Sequence, residues 1–326
     1  MAGFKPIAWA CAIAASFAVI TGVSKANNAY PEKPVRIILP YGAGGIADVT
    51  TRLVAQKLSE RLGQTFVVDN RPGASGVVAA KAVIGSAPDG YTLFLMGNGG
   101  AINESLYKVP PYSIQKDFTS VALLARFEML LVTKVDSHLN SIAKMVAYAK
   151  EHPGKLNLGA INVGSTQNLS AELFRMATGV EAELVTYRTT PDLVTAILRG
   201  DVDLGFDFLA PLLPMITSKQ IKAIATSGEH PNQNLPGVPL VKDGGYPEYT
   251  VISWNGISAP AGTPADIADK LNKEITAVLQ MDDVKARMFQ LGMEPMPATI
   301  AQMDDRIRGD IAKWRVVIDG AKIAKQ

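Results

Sequence analysis

The sequence predicts an α/β fold, and three observations support this prediction. Short apolar runs typical of β-strands alternate with longer amphipathic stretches typical of helices. Several of these pairs are joined by short loops rich in Gly, Ser, Thr and Asn. A chain of 326 residues with 48% hydrophobic and 19% charged residues is also long and apolar enough for about two globular domains. The alternation predicts a sheet whose strands are mainly parallel.

The elements are predicted in order from hydrophobic periodicity and from helix start and stop signals. The predicted strands cover 35–40, 66–70, 91–97, 120–126, 129–134, 156–162, 182–187, 202–208, 221–226 and 254–260. The predicted helices cover 47–62, 74–85, 141–151, 167–178, 191–199, 264–280, 282–290 and 299–318. Pro191 and Pro264 suit the first turn of a helix, where the missing N–H is not needed. Gly63, Gly179 and Gly292 are predicted helix stops.

The first 26 residues have the organisation of a secretory signal peptide. Lys5 precedes an apolar run over 7–20, and small residues end the segment at Ala26, so we expect cleavage after Ala26 or Ala29. The run is short for a membrane span. The single cysteine, Cys11, lies inside this run and outside any lipoprotein box, so we expect no lipid anchor. The alternative is an N-terminal helix that the mature protein keeps.

Charge and histidine distribution limit the functional classes. Without residues 1–26 the chain has equal numbers of basic and acidic residues, which argues against a nucleic-acid partner. His138, His152 and His230 are scattered, with no spacing typical of a metal site. Ser165 lies outside any G-x-S-x-G nucleophile elbow, and no residue receives a catalytic role. We therefore expect a protein that is not an enzyme and that uses no metal and no cofactor.

The loop at 42–47, Gly-Ala-Gly-Gly-Ile-Ala, fits two kinds of anion site. It lies between a predicted strand and a predicted helix, so backbone N–H groups and the helix dipole would bind negative charge there. The loop matches the G-x-G-x-x-A dinucleotide pattern, and Asp69 lies at about the spacing expected for a ribose contact. Asp48, however, would compete with a pyrophosphate for the same amides. A dinucleotide-binding oxidoreductase is therefore the alternative to a cradle for a carboxylate.

Three further segments repeat this arrangement of strand, short polar loop and helix, at 96–103, 162–168 and 187–193. In open α/β sheets, ligands bind outside the carboxyl ends of the strands. Two of the four loops come before residue 135 and two come after it. This division predicts a ligand held between two lobes.

Several segments together resemble one protein family. They are YPEKPVRIILPYGAGGIADVTTRLVAQKL, VVDNRPGASG, APDGYTLFLMGN, AINESLY and GDVDLGFD, and the resemblance extends from about Tyr30 to the C-terminus. The family is the Bug/TctC family, the periplasmic solute-binding receptors of tripartite tricarboxylate transporters. The resemblance implies a type II periplasmic binding protein fold, with two α/β lobes, a hinge and an interlobe ligand cleft. It places lobe 1 at 30–132 plus 254–326 and lobe 2 at 133–253, with the hinge near Thr133 and Ser253.

The resemblance also implies a function. A member of this family captures a small organic carboxylate, such as a di- or tricarboxylate or an aromatic acid, in the periplasm. It then meets the membrane subunits of the transporter. We expect the protein to act as a monomer without a cofactor.

The family's ligand-binding positions correspond to residues in both lobes of this chain. In lobe 1 they are Tyr41, Gly42, Ala43, Gly44, Gly45 and Asp48, followed by Asn98, Gly99, Gly100 and Asn103. In lobe 2 they are Ser165, Thr166, Arg188, Thr189, Thr190 and Asp207. We expect the first loop to bind through backbone N–H groups and the lobe 2 loops to bind through hydroxyls and helix-start amides.

This chain departs from the family's pattern at several of these positions. Arg188 replaces the usual Lys, Thr189 replaces Gly, and Phe208 replaces Asn. Gly99 and Gly100 stand where the family has more Ser and Thr, and with Phe208 they favour an aromatic or larger acid over citrate. Structural alternatives stay open. Arg188 could be a surface charge, Asp207 could bind backbone amides at a strand end, and the NRPGA segment is interpreted as a structural turn.

Overall fold

A computed structural model of the protein describes residues 1, 3 and 30–326. The predicted signal peptide therefore lies outside the described residues, apart from positions 1 and 3. The strands are β1 (Val35–Leu39), β2 (Phe66–Asn70), β3 (Thr92–Gly97), β4 (Phe118–Lys134), β5 (Leu156–Ile161), β6 (Ala182–Tyr187), β7 (Leu204–Phe208), β8 (Ile221–Thr226), β9 (Ile252–Pro260) and β10 (Glu294–Pro295). The α-helices are α1 (Ile46–Leu62), α2 (Val77–Ile84), α3 (Asn98–Leu106), α4 (Ile142–Glu151), α5 (Thr166–Thr178), α6 (Thr190–Arg199), α7 (Leu209–Thr217), α8 (Ala265–Leu279), α9 (Asp282–Gln290) and α10 (Ile300–Gly320).

The strands form a sheet in the order β2-β1-β3-β9-β4-β7-β5-β6, with β8 and β10 paired to β4. Strands β1, β2 and β3 are parallel, with β1 in the middle, and we call this unit block one. Strands β5, β6 and β7 are also parallel, with β5 in the middle, and we call this unit block two. Both blocks therefore have the same β-α-β-α-β connectivity and the same strand order. The sheet therefore contains two similar parallel units within one mixed α/β architecture.

The strands between the two blocks are antiparallel, so the prediction of a mainly parallel sheet is wrong for the centre of the molecule. β4 pairs with β9 as far as Glu128 and with β7 and β8 from Met129 onward, and every one of these pairings is antiparallel. The two strands predicted at 120–126 and 129–134 are one continuous strand. A single long strand thus passes from the part of the sheet that contains block one into the part that contains block two.

Most predicted helices agree with the structure because their ends carry capping signals. Gly63 and Gly179 close α1 and α5 in the left-handed conformation, with φ of 67° at both. Ser165 and Thr299 begin α5 and α10 with side-chain caps. Helices α3 and α7 were not predicted. The glycines at 99 and 100 and the prolines at 211 and 214 lower helix propensity there, so tertiary packing determines these two helices.

The core packs on both faces of the sheet. Val54 of α1 and Leu271 of α8 are buried in one cluster, and Phe174 of α5 and Trp314 of α10 are buried in another. Helix α10 packs against α3 and α5 and therefore contacts both blocks. No helix within the described residues is long and apolar enough to cross a membrane.

Candidate functional site

Each block has one point where a ligand-sized crevice is expected. From β1 the chain moves outward through α1 to β2, and it then returns across β1 to β3. Connections that leave a strand in opposite directions open a crevice at its carboxyl end. In block one this crevice lies between the ends of β1 and β3. In block two the same connectivity places it between the ends of β5 and β7.

The loop after β1 is held in place by the carboxylate of Asp48. Gly44 has φ of 84° and donates its N–H to Asp48 Oδ2 at 2.9 Å. Asn70 Nδ2 and Arg52 Nε donate to Asp48 Oδ1 at 2.9 and 3.0 Å. Burial alone would raise the pKa of Asp48, but the hydrogen bonds from Arg52, Gly44 and Asn70 outweigh burial and lower it. This carboxylate therefore shapes the loop, and its oxygens already have partners within the protein.

The loop after β5 repeats this arrangement with a neutral residue. Gly164 has φ of 76° and donates its N–H to Asn168 Oδ1 at 3.0 Å. Asn168 is the third residue of α5, as Asp48 is the third residue of α1. Ser165 Oγ accepts from the backbone N–H of Asn168 at 3.1 Å and donates to a carbonyl at the end of β5. Each helix therefore begins at a glycine loop that a side chain from the first turn of the same helix holds in place.

These side-chain hydrogen bonds leave the first backbone N–H groups of both helices available to another acceptor. The N–H groups of the first turn have no partner inside a helix, and the helix dipole gives them a positive potential. At α1 they belong to Ile46 and Ala47, and at α5 they belong to Thr166 and Gln167. Two anion-binding helix starts thus stand at the two expected crevices.

Asp207 joins three elements of block two at the end of β7. Its Oδ2 accepts the hydroxyl of Thr190 at 2.5 Å. Its Oδ1 accepts the side-chain amide of Gln167 at 3.0 Å and the backbone N–H of Phe208 at 2.8 Å. Asp207 is 1% exposed. Burial raises its pKa, although all three hydrogen bonds act in the opposite direction. The carboxylate thus fixes the starts of α5 and α6 against β7.

Asn98 connects the two blocks. The segment 98–103, expected as a loop, forms the first turns of α3. The Asn98 side chain donates from Nδ2 to Thr166 Oγ1 at 3.2 Å and accepts at Oδ1 from Trp314 Nε1 at 2.9 Å. A methyl group placed on Gly164 would lie 2.5 Å from Leu106 Cδ2, so α3 also touches the block-two loop. The crevice-bearing ends of the two blocks are therefore adjacent.

The other predicted site residues of block one differ in how tightly they are packed. A methyl group at Gly99 would meet nothing within 4 Å, whereas one at Gly100 would lie 2.8 Å from Ile114 Cδ1. Gly100 is therefore explained by packing of α3. Asn103 Nδ2 donates to the Ser75 carbonyl at 3.2 Å, which ties α3 to the residue that follows the NRPGA segment. Tyr41 is 39% exposed.

In block two, Thr189 is an exposed helix cap, and its hydroxyl accepts from the Asp192 backbone N–H at 3.3 Å. Arg188 is exposed and has no ion pair or hydrogen bond among the described residues. Phe208 packs edge to face on Phe127, with ring centroids 4.8 Å apart. Phe208 is therefore explained by contact with the core.

Three polar residues in or beside these loops, Asn70, Gln167 and Asn168, were not among the predicted site residues. Asn70 donates to the Tyr41 carbonyl at 3.0 Å as well as to Asp48, so the NRPGA segment braces the glycine loop as a structural turn. The spacing of Ser165 and Asn168, a cap and its third helical residue, was a signal available in the sequence.

The dinucleotide interpretation gains no support from this geometry. Asp69, the proposed ribose ligand, pairs with Arg71 at 2.9 Å. The Gly44 N–H, which a pyrophosphate would need, is taken by Asp48. Among residues 1, 3 and 30–326, no cluster of three His, Cys, Asp or Glu side chains could hold a metal ion. A concavity of about 620 Å³ lies elsewhere, between β10, α9 and the segment at 230–233.

Comparison with known proteins defines the class. Residues 50–323 match the family described as tripartite tricarboxylate transporter family receptor, TctC. Protein BugT of Bordetella pertussis is 31% identical over 318 residues, which cover 96% of this chain and 98% of that protein. The chain therefore belongs to the TctC family of periplasmic solute-binding receptors.

Solved structures agree with this assignment. Rpa4515 of R. palustris, solved with adipate, has a TM-score of 0.80 and 33% identity, covering 90% of this chain and 99% of its own. MatC from Rhodopseudomonas palustris, solved with bound malate, has a TM-score of 0.75 and 29% identity, covering 89% of this chain and 100% of its own. The expected type II periplasmic binding protein fold, with two lobes, is thereby confirmed.

Proposed function

We propose that this protein captures a small organic carboxylate in the periplasm and presents it to the membrane subunits of a tripartite tricarboxylate transporter. The observation that carries the proposal is the matched pair of braced helix starts at 44–48 and 164–168. Each offers free N–H groups at a crevice between parallel strands, and such groups bind anions. Adipate and malate, bound by the two related proteins, are both dicarboxylates.

In this proposal the ligand lies between lobe 1 (30–132 plus 254–326) and lobe 2 (133–253). The chain passes between the lobes twice, and these passages would act as the hinge. The change of partner in β4 at Glu128–Met129 supports the first passage, a few residues before Thr133. The entry into β9 near Ser253 supports the second. Closure would bring the two helix starts onto opposite ends of one ligand.

Arg188 is our candidate for the second carboxylate of the ligand. Its guanidinium is exposed and unpaired in the described part of the chain, and it directly follows β6. Guanidinium groups bind carboxylates through two parallel hydrogen bonds. The neighbouring Thr190 hydroxyl donates to Asp207 and would hold the start of α6 beside this end of the site. Binding would be reversible, without covalent chemistry or a cofactor.

The proposal also includes export by residues 1–26 and action as a monomer. Both are tested on protein recovered from the periplasm. N-terminal sequencing tests export, and size-exclusion chromatography tests the monomer.

The direct test of binding is a thermal-shift screen against aliphatic and aromatic mono-, di- and tricarboxylates, acidic amino acids and NAD(H). A ligand that binds the native state raises the melting temperature by mass action. We expect a rise with one carboxylate class, whereas a rise with NAD(H) alone would favour the dinucleotide alternative.

A further inference from the structure

Asn98 and Thr166 form a direct hydrogen bond between two helix starts that belong to different proposed lobes. Asn98 is the first residue of α3 in lobe 1, and Thr166 is the first residue of α5 in lobe 2. Asn98 Nδ2 donates to Thr166 Oγ1 at 3.2 Å, and the two residues are 2% and 8% exposed. Both partners are protein side chains, so no ligand atom takes part in the contact. The contact therefore stabilises an arrangement of the lobes.

The amide of Asn98 is oriented from within its own lobe. Trp314 Nε1 in α10 donates to Asn98 Oδ1 at 2.9 Å, and Trp314 is also buried. An asparagine side chain has one acceptor oxygen and one donor nitrogen. Because the indole holds the oxygen, the nitrogen is the end that faces Thr166. A donor of lobe 1 is thus preorganised for an acceptor of lobe 2.

Thr166 belongs both to this contact and to the proposed ligand site. Its hydroxyl oxygen accepts from Asn98, whereas its backbone N–H is one of the free groups of the first turn of α5. Threonine is β-branched and stiff at χ1, so a contact that fixes the hydroxyl also fixes the backbone beside it. The far end of α3 touches the same loop, because a methyl group on Gly164 would lie 2.5 Å from Leu106 Cδ2. Helix α3 therefore holds the anion-binding start of α5 at two points.

We propose that Asn98 is a positioning residue that stabilises the closed arrangement of the lobes through Thr166 and does not itself bind the ligand. Opening at the hinge would separate the two side chains. The apparent affinity of a ligand that needs the closed form is reduced by the fraction of protein that is closed. The Asn98–Thr166 contact should therefore raise the affinity for every ligand of the cleft by the same factor. This inference rests on the proposed function, because it takes the cleft between the lobes as the ligand site.

The test combines two variants with two measurements. Asn98→Ala removes the donor, and Thr166→Val removes the acceptor while it keeps the shape of the side chain and the bond from Trp314 to Asn98. Thr178→Val is the matched control, because Thr178 is also 8% exposed in α5 but its hydroxyl donates to the Phe174 carbonyl of the same helix. Calorimetry measures the dissociation constants of adipate and malate. Small-angle X-ray scattering without ligand measures the radius of gyration, and melting temperatures show whether each variant is folded.

We expect Asn98→Ala and Thr166→Val to shift the population toward the open form by about two- to tenfold, as the loss of one hydrogen bond does. If the wild type without ligand is mainly open, the dissociation constants of adipate and malate rise by the same factor. If it is mainly closed, the radius of gyration rises instead. Thr178→Val should change neither quantity.

Two results would overturn the inference while the proposed function stands. Factors for adipate and malate that differ by more than about twofold would mean that Asn98 contacts the ligand. Unchanged dissociation constants together with an unchanged radius of gyration, in both folded variants, would mean that the contact does not control closure. If the wild type binds no carboxylate at all, the proposed function fails first and this inference fails with it.

Discussion

The side chain of Asn98 at the start of α3 donates a hydrogen bond to Thr166 Oγ1 at the start of α5, at 3.2 Å. Helix α3 follows β3 of block one and α5 follows β5 of block two. The indole N–H of Trp314 in α10 donates to the oxygen of the same amide. All three residues are buried. One amide therefore joins both crevice-bearing ends to the C-terminal helix, and it sets their separation in this conformation.

Replacing Asn98 should destabilise the fold. Asn98→Ala leaves the Trp314 N–H and the Thr166 hydroxyl without this partner, so the free energy of unfolding should fall by about 1–3 kcal/mol. Urea unfolding measures the change. Thr166→Ser keeps the acceptor oxygen and serves as the control. An Asn98→Ala protein as stable as the wild type would show that this contact between the blocks contributes nothing.

Asp48→Asn should reduce stability in a pH-dependent way. The pKa of Asp48 is lowered in the folded protein, so its stabilisation is present above the unfolded pKa of about 3.9 and is lost as the pH falls through the folded value. At pH 7 the variant should lose about 1–3 kcal/mol, and the difference from wild type should shrink on acidification. Unfolding curves between pH 7 and pH 3 test this expectation.

Asp69→Asn is the matched control for Asp48→Asn. Asp69 also pairs with an arginine, Arg71, but both side chains are partly exposed. Such a pair should contribute only about 0–1 kcal/mol. A larger loss from Asp69→Asn than from Asp48→Asn would contradict the role assigned to Asp48.

The stability of Asp207→Asn relative to wild type should depend on pH for the opposite reason to that of Asp48→Asn, because the pKa of Asp207 is raised. Burial raises the pKa of Asp207, so the stability that this group contributes is present below the unfolded pKa and is lost as the pH rises through the folded value. Asparagine stays neutral and can still accept from Gln167 and Phe208. The stability of Asp207→Asn relative to wild type should therefore improve from pH 4 to pH 8. A relative loss over that range would mean that the three donors outweigh burial.

The double variant Ser165→Ala, Thr190→Ala tests the lobe 2 loops. It removes the Ser165 hydroxyl that caps α5 and the Thr190 hydroxyl that holds α6 on Asp207. The helix-start amides should then be less well positioned, so carboxylate affinity should fall while the protein stays folded. Loss of the Ser165 cap should lower stability by about 1 kcal/mol. Ser141→Ala is the control, because Ser141 caps α4 in the same way outside the site. Unchanged affinity in the folded double variant would show that these hydroxyls do not position the ligand site.

Local signals explain how much of the fold could be predicted. Helices with glycine stops and proline or serine starts, such as α5 and α6, were predicted to within about one residue, because those signals act within a single turn. The antiparallel pairing of β4 and β9 could not be predicted, since it depends on residues more than a hundred positions apart. Helix α7 was missed because Pro214 lies inside it.

Site prediction was limited in a similar way. The glycine loops were found from their composition, and the resemblance supplied the residues expected in them. The roles of Asp48 and Asn168 depend on positive φ angles at Gly44 and Gly164, which only the folded backbone shows. The pairing of Asn255 with Gly97 becomes visible only when β9 is placed beside β3. Contacts between distant strands therefore carry the information that the sequence pattern lacks.

The central claim is that two helix starts hold a carboxylate between the lobes, and titration calorimetry tests it most directly. The carboxylate that gives the largest thermal shift is titrated into the purified protein beside its neutral amide, for example adipate beside adipamide. We predict saturable one-to-one binding of the acid with a dissociation constant of about 1 μM, which is a binding free energy of about −8 kcal/mol. We predict no measurable binding of the amide. Equal affinity for acid and amide, or binding of no carboxylate, would contradict the account.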